Sequence, residues 1–317
     1  MYENSIRGGK TVKVAVIGPG SMGLLYGSRL SACADVCLVG RSREHVDEMN
    51  EKGIMLKRGD AQRVYKVRAV LPGEEKEAKD LIILFTKAYI TAEALAANRD
   101  LIGKDTLILT LQNGAGHEDI LREFTDEAHI LIGTTTQGSY RENIHTIVNC
   151  GLGDTVIGRI TAGEENPDIE KAVEEAADLF EKAGFPCKIS SNIRFTVWNK
   201  LMINASSSVL SGILGKPQGF VAENPHAWEI CCDLIREICQ AAEGEGCHFD
   251  FDEQKERIRK HLEAAPGGYT SIYSDLQNGR KTEADYISGA VVRAARKQGR
   301  RAHTHEVILN LVHAMEA

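Results

Sequence analysis

The sequence predicts an α/β fold: a mostly parallel, doubly wound sheet with helices on both faces, followed by an all-helical domain. Three observations predict it. A short apolar run near the N terminus ends in a glycine-rich turn that opens a helix; apolar runs and helical segments then alternate as far as Gly133; and almost no strand pattern occurs beyond about Ser190. A chain of 317 residues exceeds what one core usually fills, so two domains are expected, at 1–189 and 190–317.

The first strand is VKVAVIG, Val12 to Gly18, and GPGSMG leads from it into LLYGSRLSA, which has helical spacing. DVCLVG (Asp35 to Gly40) reads as a second strand, and the polar RSREHVDEMNEKG after it as a helix closed by Gly53. Further strands are expected at Val64 to Val70, Leu81 to Phe85 and Thr106 to Leu111, with helical segments at Thr91 to Asn98 and His117 to Thr125. After Ile130 to Gly133 the pattern changes, and HTIVN and DTVIG suit short antiparallel additions. A helix from Asp168 to Ala183 follows Pro167 and stops at Gly184. The remaining segments are helical: Asn192 to Leu214, His226 to Glu245, Glu253 to Ala264, Tyr269 to Gln277, Thr282 to Gln298 and Thr304 to Ala314.

Composition narrows the function. Hydrophobic residues at 43% and charged residues at 26% are ordinary for a soluble globular chain. A net charge of -7 argues against a nucleic-acid or anionic-membrane surface, and the basic run Arg293, Arg296, Lys297, Arg300 and Arg301 reads as a solvated helix end. The eight cysteines show no metal or redox spacing and read as reduced thiols, with Cys231 and Cys232 as packing residues; His303 and His305 read as surface, so no metal is expected. The opening MYENSIRGGK is polar, and no later stretch approaches about 18 consecutive apolar residues, which suits a cytoplasmic protein.

Gly18, Gly20 and Gly23 fit G-x-G-x-x-G between a strand and a helix, the context a dinucleotide fingerprint requires. A pyrophosphate must approach backbone N–H groups at a positive helix terminus, where side chains would block it. The carboxylate that binds an NAD ribose at the end of the second strand is replaced by Arg41 and Ser42, a cation and a hydroxyl that favour NADP(H). Lys87 in FTKAYI is a second candidate cation or a solvated loop lysine. Asn113 in LTLQNGAG stands where a strand end could face a ligand, or forms a plain Asn-Gly turn. In WNKLMINASSS, Lys200, Asn204 and Ser208 recur every fourth residue, either as a substrate-facing row or as a surface stripe.

Taken together, GPGSMG, Arg41, FTKAY, QNG, WNKLMINA and KTEADYISG resemble the ketopantoate reductase (2-dehydropantoate 2-reductase) family, in order and spacing from about Lys13 to Ala314. The resemblance implies a Rossmann-type N-terminal domain and a helical C-terminal domain similar to that of 6-phosphogluconate dehydrogenase, with substrate bound between them. It implies Lys200 as catalytic lysine, Glu283 as its acidic partner, and Asn113 beside the nicotinamide and the lysine. Asn204 and Ser271 would bind a 2-oxo acid, and Ser208, one turn on from Asn204 in the row, would extend that contact. NADP(H) would lie on Gly18, Pro19, Gly20, Ser21, Met22 and Gly23, with Arg41 and Lys87 toward its 2'-phosphate. The implied reaction is reduction of ketopantoate to pantoate, on the route to pantothenate and coenzyme A.

The match departs from the family in places. Ser208 and Gln218 stand where the family commonly has asparagines, which leaves another 2-oxo or 3-hydroxy acid open. Ile90 replaces a glutamine often found after the FTK lysine. A non-catalytic NADP-binding regulator is the remaining alternative. Helical second domains of this kind occur singly or paired, so a homodimer stays open.

Overall fold

The computed structural model describes residues 11–160 and 166–316, so the polar N-terminal decapeptide lies outside the described residues. The chain forms two compact units: one runs to Gln112 and resumes from His117 to Ile193, and the other takes Asn113–Gly116 and everything from Arg194 onward.

In the first unit the chain runs through β1 (Lys13–Ile17), α1 (Ser21–Leu30), β2 (Asp35–Val39), α2 (Arg43–Lys52), β3 (Ile54–Arg58), β4 (Ala61–Tyr65), β5 (Arg68–Val70), β6 (Leu81–Leu84), α3 (Thr91–Ala96), β7 (Leu107–Thr110), α4 (Glu118–Leu121), β8 (Ile130–Thr135), β9 (Gly138–Asn143), β10 (Thr146–Gly151), β11 (Thr155–Arg159), α5 (Pro167–Lys182) and β12 (Cys187–Ile189). Among the described residues, eight strands form one sheet in the order β12-β11-β8-β7-β6-β1-β2-β5. Only its β8–β11 pairing is antiparallel. Read from β5 through β2, β1, β6 and β7 to β8, this is the doubly wound order 3-2-1-4-5-6, whose strand order reverses beside β1. β6 (LIIL) and β7 (LILT) are buried along their whole length, as strands covered on both faces must be.

The single sheet expected from the sequence is corrected to two. A four-stranded sheet, β4-β3-β10-β9, stands beside the large one. Its β3–β4 hairpin turns at Gly59-Asp60, with Arg58 opposite Ala61 and Gly59 at φ +54, the positive φ a two-residue hairpin turn demands. The strand read over Val64 to Val70 is two strands in different sheets: β4 pairs antiparallel with β3, and β5 pairs parallel with β2. HTIVN, in β10, has an antiparallel partner in β9 and a parallel one in β3, whereas DTVIG lies antiparallel to β8.

The second unit contains α6 (Ile193–Ile203, all but its first residue), a π-helical turn (Asn204–Ser208), α7 (Val209–Leu214), α8 (Gln218–Glu223), α9 (Pro225–Glu243), α10 (Phe251–Ala264), α11 (Ser271–Gln277), α12 (Ser288–Lys297) and α13 (His303–Met315). α9 is its axis: α8, α10, α12, α13 and the π turn all pack on it, and Cys231, Leu234, Ile235, Ile238 and Ala242 are buried along it. No helix among the described residues is long and apolar enough to cross a membrane.

Two expectations fail here for tertiary reasons. The helix expected from Thr282 begins at Ser288, because the carbonyl of Tyr286 accepts from Ala115 N at 2.9 Å and Thr282 N donates to Glu316 at 2.7 Å. His305, expected at the surface, is fully buried: its backbone N–H donates to Glu237, and its ring Nε2 lies 3.3 Å from the Leu234 carbonyl. Past Arg293 the basic run is solvated but paired, with Arg296 and Arg301 on Glu306, Lys297 on Glu245 and Arg300 on Glu243.

Candidate active site

The three glycines of the first turn have different work. A Cβ on Gly18 would lie 2.6 Å from Thr86 N, and one on Gly23 would lie 2.1 Å from Gly18 O, so these two bring β1, the loop after β6 and α1 together. A Cβ on Gly20 would meet nothing within 4 Å. Gly20 caps α1 without a side-chain hydrogen bond, and the first turn holds no acidic residue, so free N–H groups and the positive helix end face open space. Pro19, Ser21 and Met22 are partly buried around this turn, and Ser139 donates to the Met22 sulfur at 3.1 Å.

Arg41 is exposed immediately after β2 and Gly40. Ser42 caps α2, its hydroxyl accepting from His45 N at 3.4 Å. Lys87 is half-buried and opens the short helical turn Ala88–Ile90. Its loop is held by a residue that motif reading passes over: the Gln112 amide donates to Thr86 O at 2.7 Å and to Thr91 Oγ1 at 2.9 Å. The only signal for Gln112 is its place beside Asn113 in QNG.

In the second unit Lys200, Asn113 and Glu283 come together. The Lys200 ammonium donates to Asn113 Oδ1 at 2.9 Å. Burial lowers the Lys200 pKa to about 8, while the charge of Glu283, itself 8% exposed, acts in the opposite direction. A lysine so placed can give or take a proton near neutrality. Asn113 is held by its neighbour: Gly114 has φ +102, and a Cβ there would stand 2.2 Å from Tyr286 O. The Asn-Gly pair is thus a fitted joint against the turn that carries Glu283.

The helix bearing Lys200 does not run on as a uniform α-helix. Across Asn204–Ser208 it widens to a π turn, with Val209 N donating to Asn204 O. The serines explain why: buried Ser206 and Ser207 donate their hydroxyls to the carbonyls of Met202 and Ile203, competing with the backbone ladder. In a uniform α-helix each step of four residues over-rotates by about 40°. A wider turn takes part of that drift back and keeps Ser208 near the bearing of Asn204.

Asn204 and Ser208 line a pocket of about 140 Å³ with Gln218, Thr270, Ser271, Ile272 and Ile287. Thr270 donates to Ser208 O at 3.2 Å and caps α11. Gln218 N and Gly219 N donate to Gly268 O and Pro266 O, each at 2.9 Å, which closes the wall. Five polar side chains face two isoleucines, a lining for a small molecule with both hydroxyl and alkyl parts. The structure therefore groups Lys200, Asn113 and Glu283, and separately Asn204, Ser208 and Ser271; the glycine turn, Arg41 and Lys87 belong to the other unit.

A doubly wound sheet with an open glycine turn, joined to a helical unit with a half-buried lysine between an amide and a carboxylate, defines a two-domain oxidoreductase. Family comparison makes this particular. Residues 14–162 match the model Ketopantoate reductase PanE/ApbA and residues 192–316 its C-terminal counterpart, so the chain belongs to the ketopantoate reductase family, as its motifs imply. It is 33% identical over 307 residues to a 2-dehydropantoate 2-reductase of Pyrococcus abyssi, covering 96% of this chain and 98% of the relative. Among solved structures it resembles D-mandelate dehydrogenase with NADH and anilino(oxo)acetate (30% identity, TM-score 0.88, 96% and 98% covered). It also resembles a ketopantoate reductase from Ralstonia eutropha JMP134 (27% identity, TM-score 0.84, 96% and 98% covered).

Proposed function

We propose that the protein reduces ketopantoate to pantoate with NADPH. The observation that carries this reading is Lys200, a lysine with a pKa near 8 bonded to Asn113 and biased by Glu283, in a chain of this family. The cofactor fits the residues present, since Gly20 leaves the end of α1 open to a pyrophosphate. Gly18 through Gly23 would hold it, with Arg41 and Lys87 toward the 2'-phosphate, and when bound it supplies the hydride.

Each side chain then has one task. Lys200 donates to the ketone oxygen, which would otherwise become an alkoxide, and its charge offsets the oxyanion as it forms. Asn113 accepts from the lysine and fixes its direction; Glu283 keeps the ammonium form populated against burial. Asn204, Ser208 and Ser271 hold the substrate's polar groups so that the carbonyl stays within reach of Lys200.

Ser208, in place of an asparagine, and the resemblance to D-mandelate dehydrogenase favour a second reading, a reductase of another 2-oxo acid on the same machinery. Initial rates of NADPH oxidation with ketopantoate, with aryl 2-oxo acids and with NADH in place of NADPH separate the two. Preference for ketopantoate and NADPH supports the first reading; preference for an aryl 2-oxo acid supports the second; nucleotide binding without turnover on any of them sinks both.

A further inference from the structure

We infer that Arg293 is a positioning residue, a clasp that holds the loop carrying Asn113 against the turn carrying Glu283. Its guanidinium Nη1 donates to the carbonyl of Asp285 at 2.7 Å, and Nη2 reaches the carbonyl of Ala115 at 3.5 Å. These two carbonyls belong to segments far apart in the chain: Ala115 stands two residues after Asn113, and Asp285 two residues after Glu283. Arg293 projects from α12 and lies over the Tyr286 ring, 5.7 Å from its centroid. Its charge is exposed and, among the described residues, its hydrogen bonds go to carbonyl oxygens and to no carboxylate, so it is not one more of the paired cations at the end of α12.

Gly289 makes room for it: a Cβ there would stand 3.3 Å from Nη1, tighter than ordinary contact, while Gly116 under Nη2 has φ +89, which favours glycine for its backbone. The planar fork can span two acceptors at fixed geometry, which a lysine ammonium cannot do. Beneath the clasp, Ala115 N donates to Tyr286 O at 2.9 Å. Together these bonds tie the segment that carries Asn113 to the turn that carries Glu283, the two groups that bear on Lys200.

This inference rests on the reductase reading, and its test is built to fail separately. In Arg293→Ala the loop and the turn part, water reaches Lys200, and its ammonium becomes easier to form. The pH dependence of Lys200 labelling by an amine reagent, mapped by mass spectrometry, should shift upward by about one unit. That readout needs no substrate. With the preferred 2-oxo acid, kcat should fall by about 10- to 100-fold from misplacement of the proton donor, with the KM for NADPH unchanged. Guanidinium ion added to Arg293→Ala should restore part of kcat, Arg293→Lys should remain impaired, and Arg301→Ala, which removes a charge from the same region, should behave as the native protein. Arg293→Ala and Arg293→Lys with native labelling profiles and kcat within twofold of native would overturn the inference. A native protein that reduces no 2-oxo acid, yet shows the labelling shift, would leave the clasp standing and overturn the reductase reading instead.

Discussion

Raising the pH through 8 should slow the forward reaction and speed the reverse one. The reason is Lys200, whose ammonium form burial disfavours until its pKa is about 8. At that value about nine-tenths of the molecules carry the ammonium at pH 7 and about one-tenth at pH 9. In the proposed mechanism ketone reduction uses the ammonium as proton donor, so kcat for reduction should drop nearly tenfold between these pH values, while oxidation of the hydroxy acid, which uses the neutral amine, should climb over the same interval. Glu283→Gln removes the charge that favours the ammonium and should move both profiles to lower pH. The assay is the nicotinamide absorbance under saturating conditions, repeated with the cofactor deuterated at the transferred position so that hydride transfer is known to limit the rate. A forward rate that stays level from pH 7 to about 9.5, with the isotope effect expressed, would refute the role of Lys200. The same group bears on stability. Its folded pKa lies below the ordinary 10.5, so the unfolded chain binds more protons between about 8 and 10.5 and stability rises with pH across that window. At pH 7 the cost is at most about 3 kcal/mol, from 1.36 kcal/mol per unit.

Three further outcomes follow from the geometry. Arg41→Glu should raise the KM for NADPH by about 10- to 100-fold, the loss of one or two charge-assisted hydrogen bonds, and lower that for NADH; steady-state kinetics with both nucleotides checks it. Buried His305 has its pKa pushed down to about 4, so the folded state loses stability as pH falls from 6.5 toward 4, by up to about 3 kcal/mol; His305→Leu should flatten that part of a denaturant-midpoint-against-pH curve. Gly114→Ala must place a Cβ 2.2 Å from Tyr286 O at φ +102, and should cost roughly 1–3 kcal/mol of stability together with most of kcat, whereas Gly20→Ala, with nothing within 4 Å, should keep native stability and weaken nucleotide binding in a titration.

The parts of this protein that the sequence made legible are those whose cause is local. Strands β1, β6 and β7 are continuous apolar runs ended by glycine or polar residues, and the buried parallel sheet demands that pattern. The glycine turn is legible for the same reason, since Gly18 and Gly23 answer to contacts within the β1–α1 unit or with the adjacent strand end, and Gly20 leaves the helix end open. The second sheet was missed although its Gly59-Asp60 turn is a local signal; β4 is almost entirely exposed and lacks the alternation that marks a half-buried strand. The short helical start expected at Thr282 fails because Tyr286 gives its carbonyl to Ala115, and no periodicity within 282–298 records a partner on another segment. His305 is buried for a similar reason: Glu237 and Leu234 of α9 supply partners that its own neighbours in sequence do not reveal.

The row of Lys200, Asn204 and Ser208 joins both kinds of cause. Its spacing is visible in the chain, but the π turn that aims its last two members into one pocket depends on the serines between them, Ser206 and Ser207. These hydroxyls face the helix and no ligand, so a search for catalytic residue types passes over them. Replacing both by alanine would remove the competition for the Met202 and Ile203 carbonyls and let the segment relax toward an ordinary α-helix, rotating Ser208 away from Asn204. The local cause of the row therefore lies in two side chains that face no pocket, and the row's geometry has to be read from the backbone they bend.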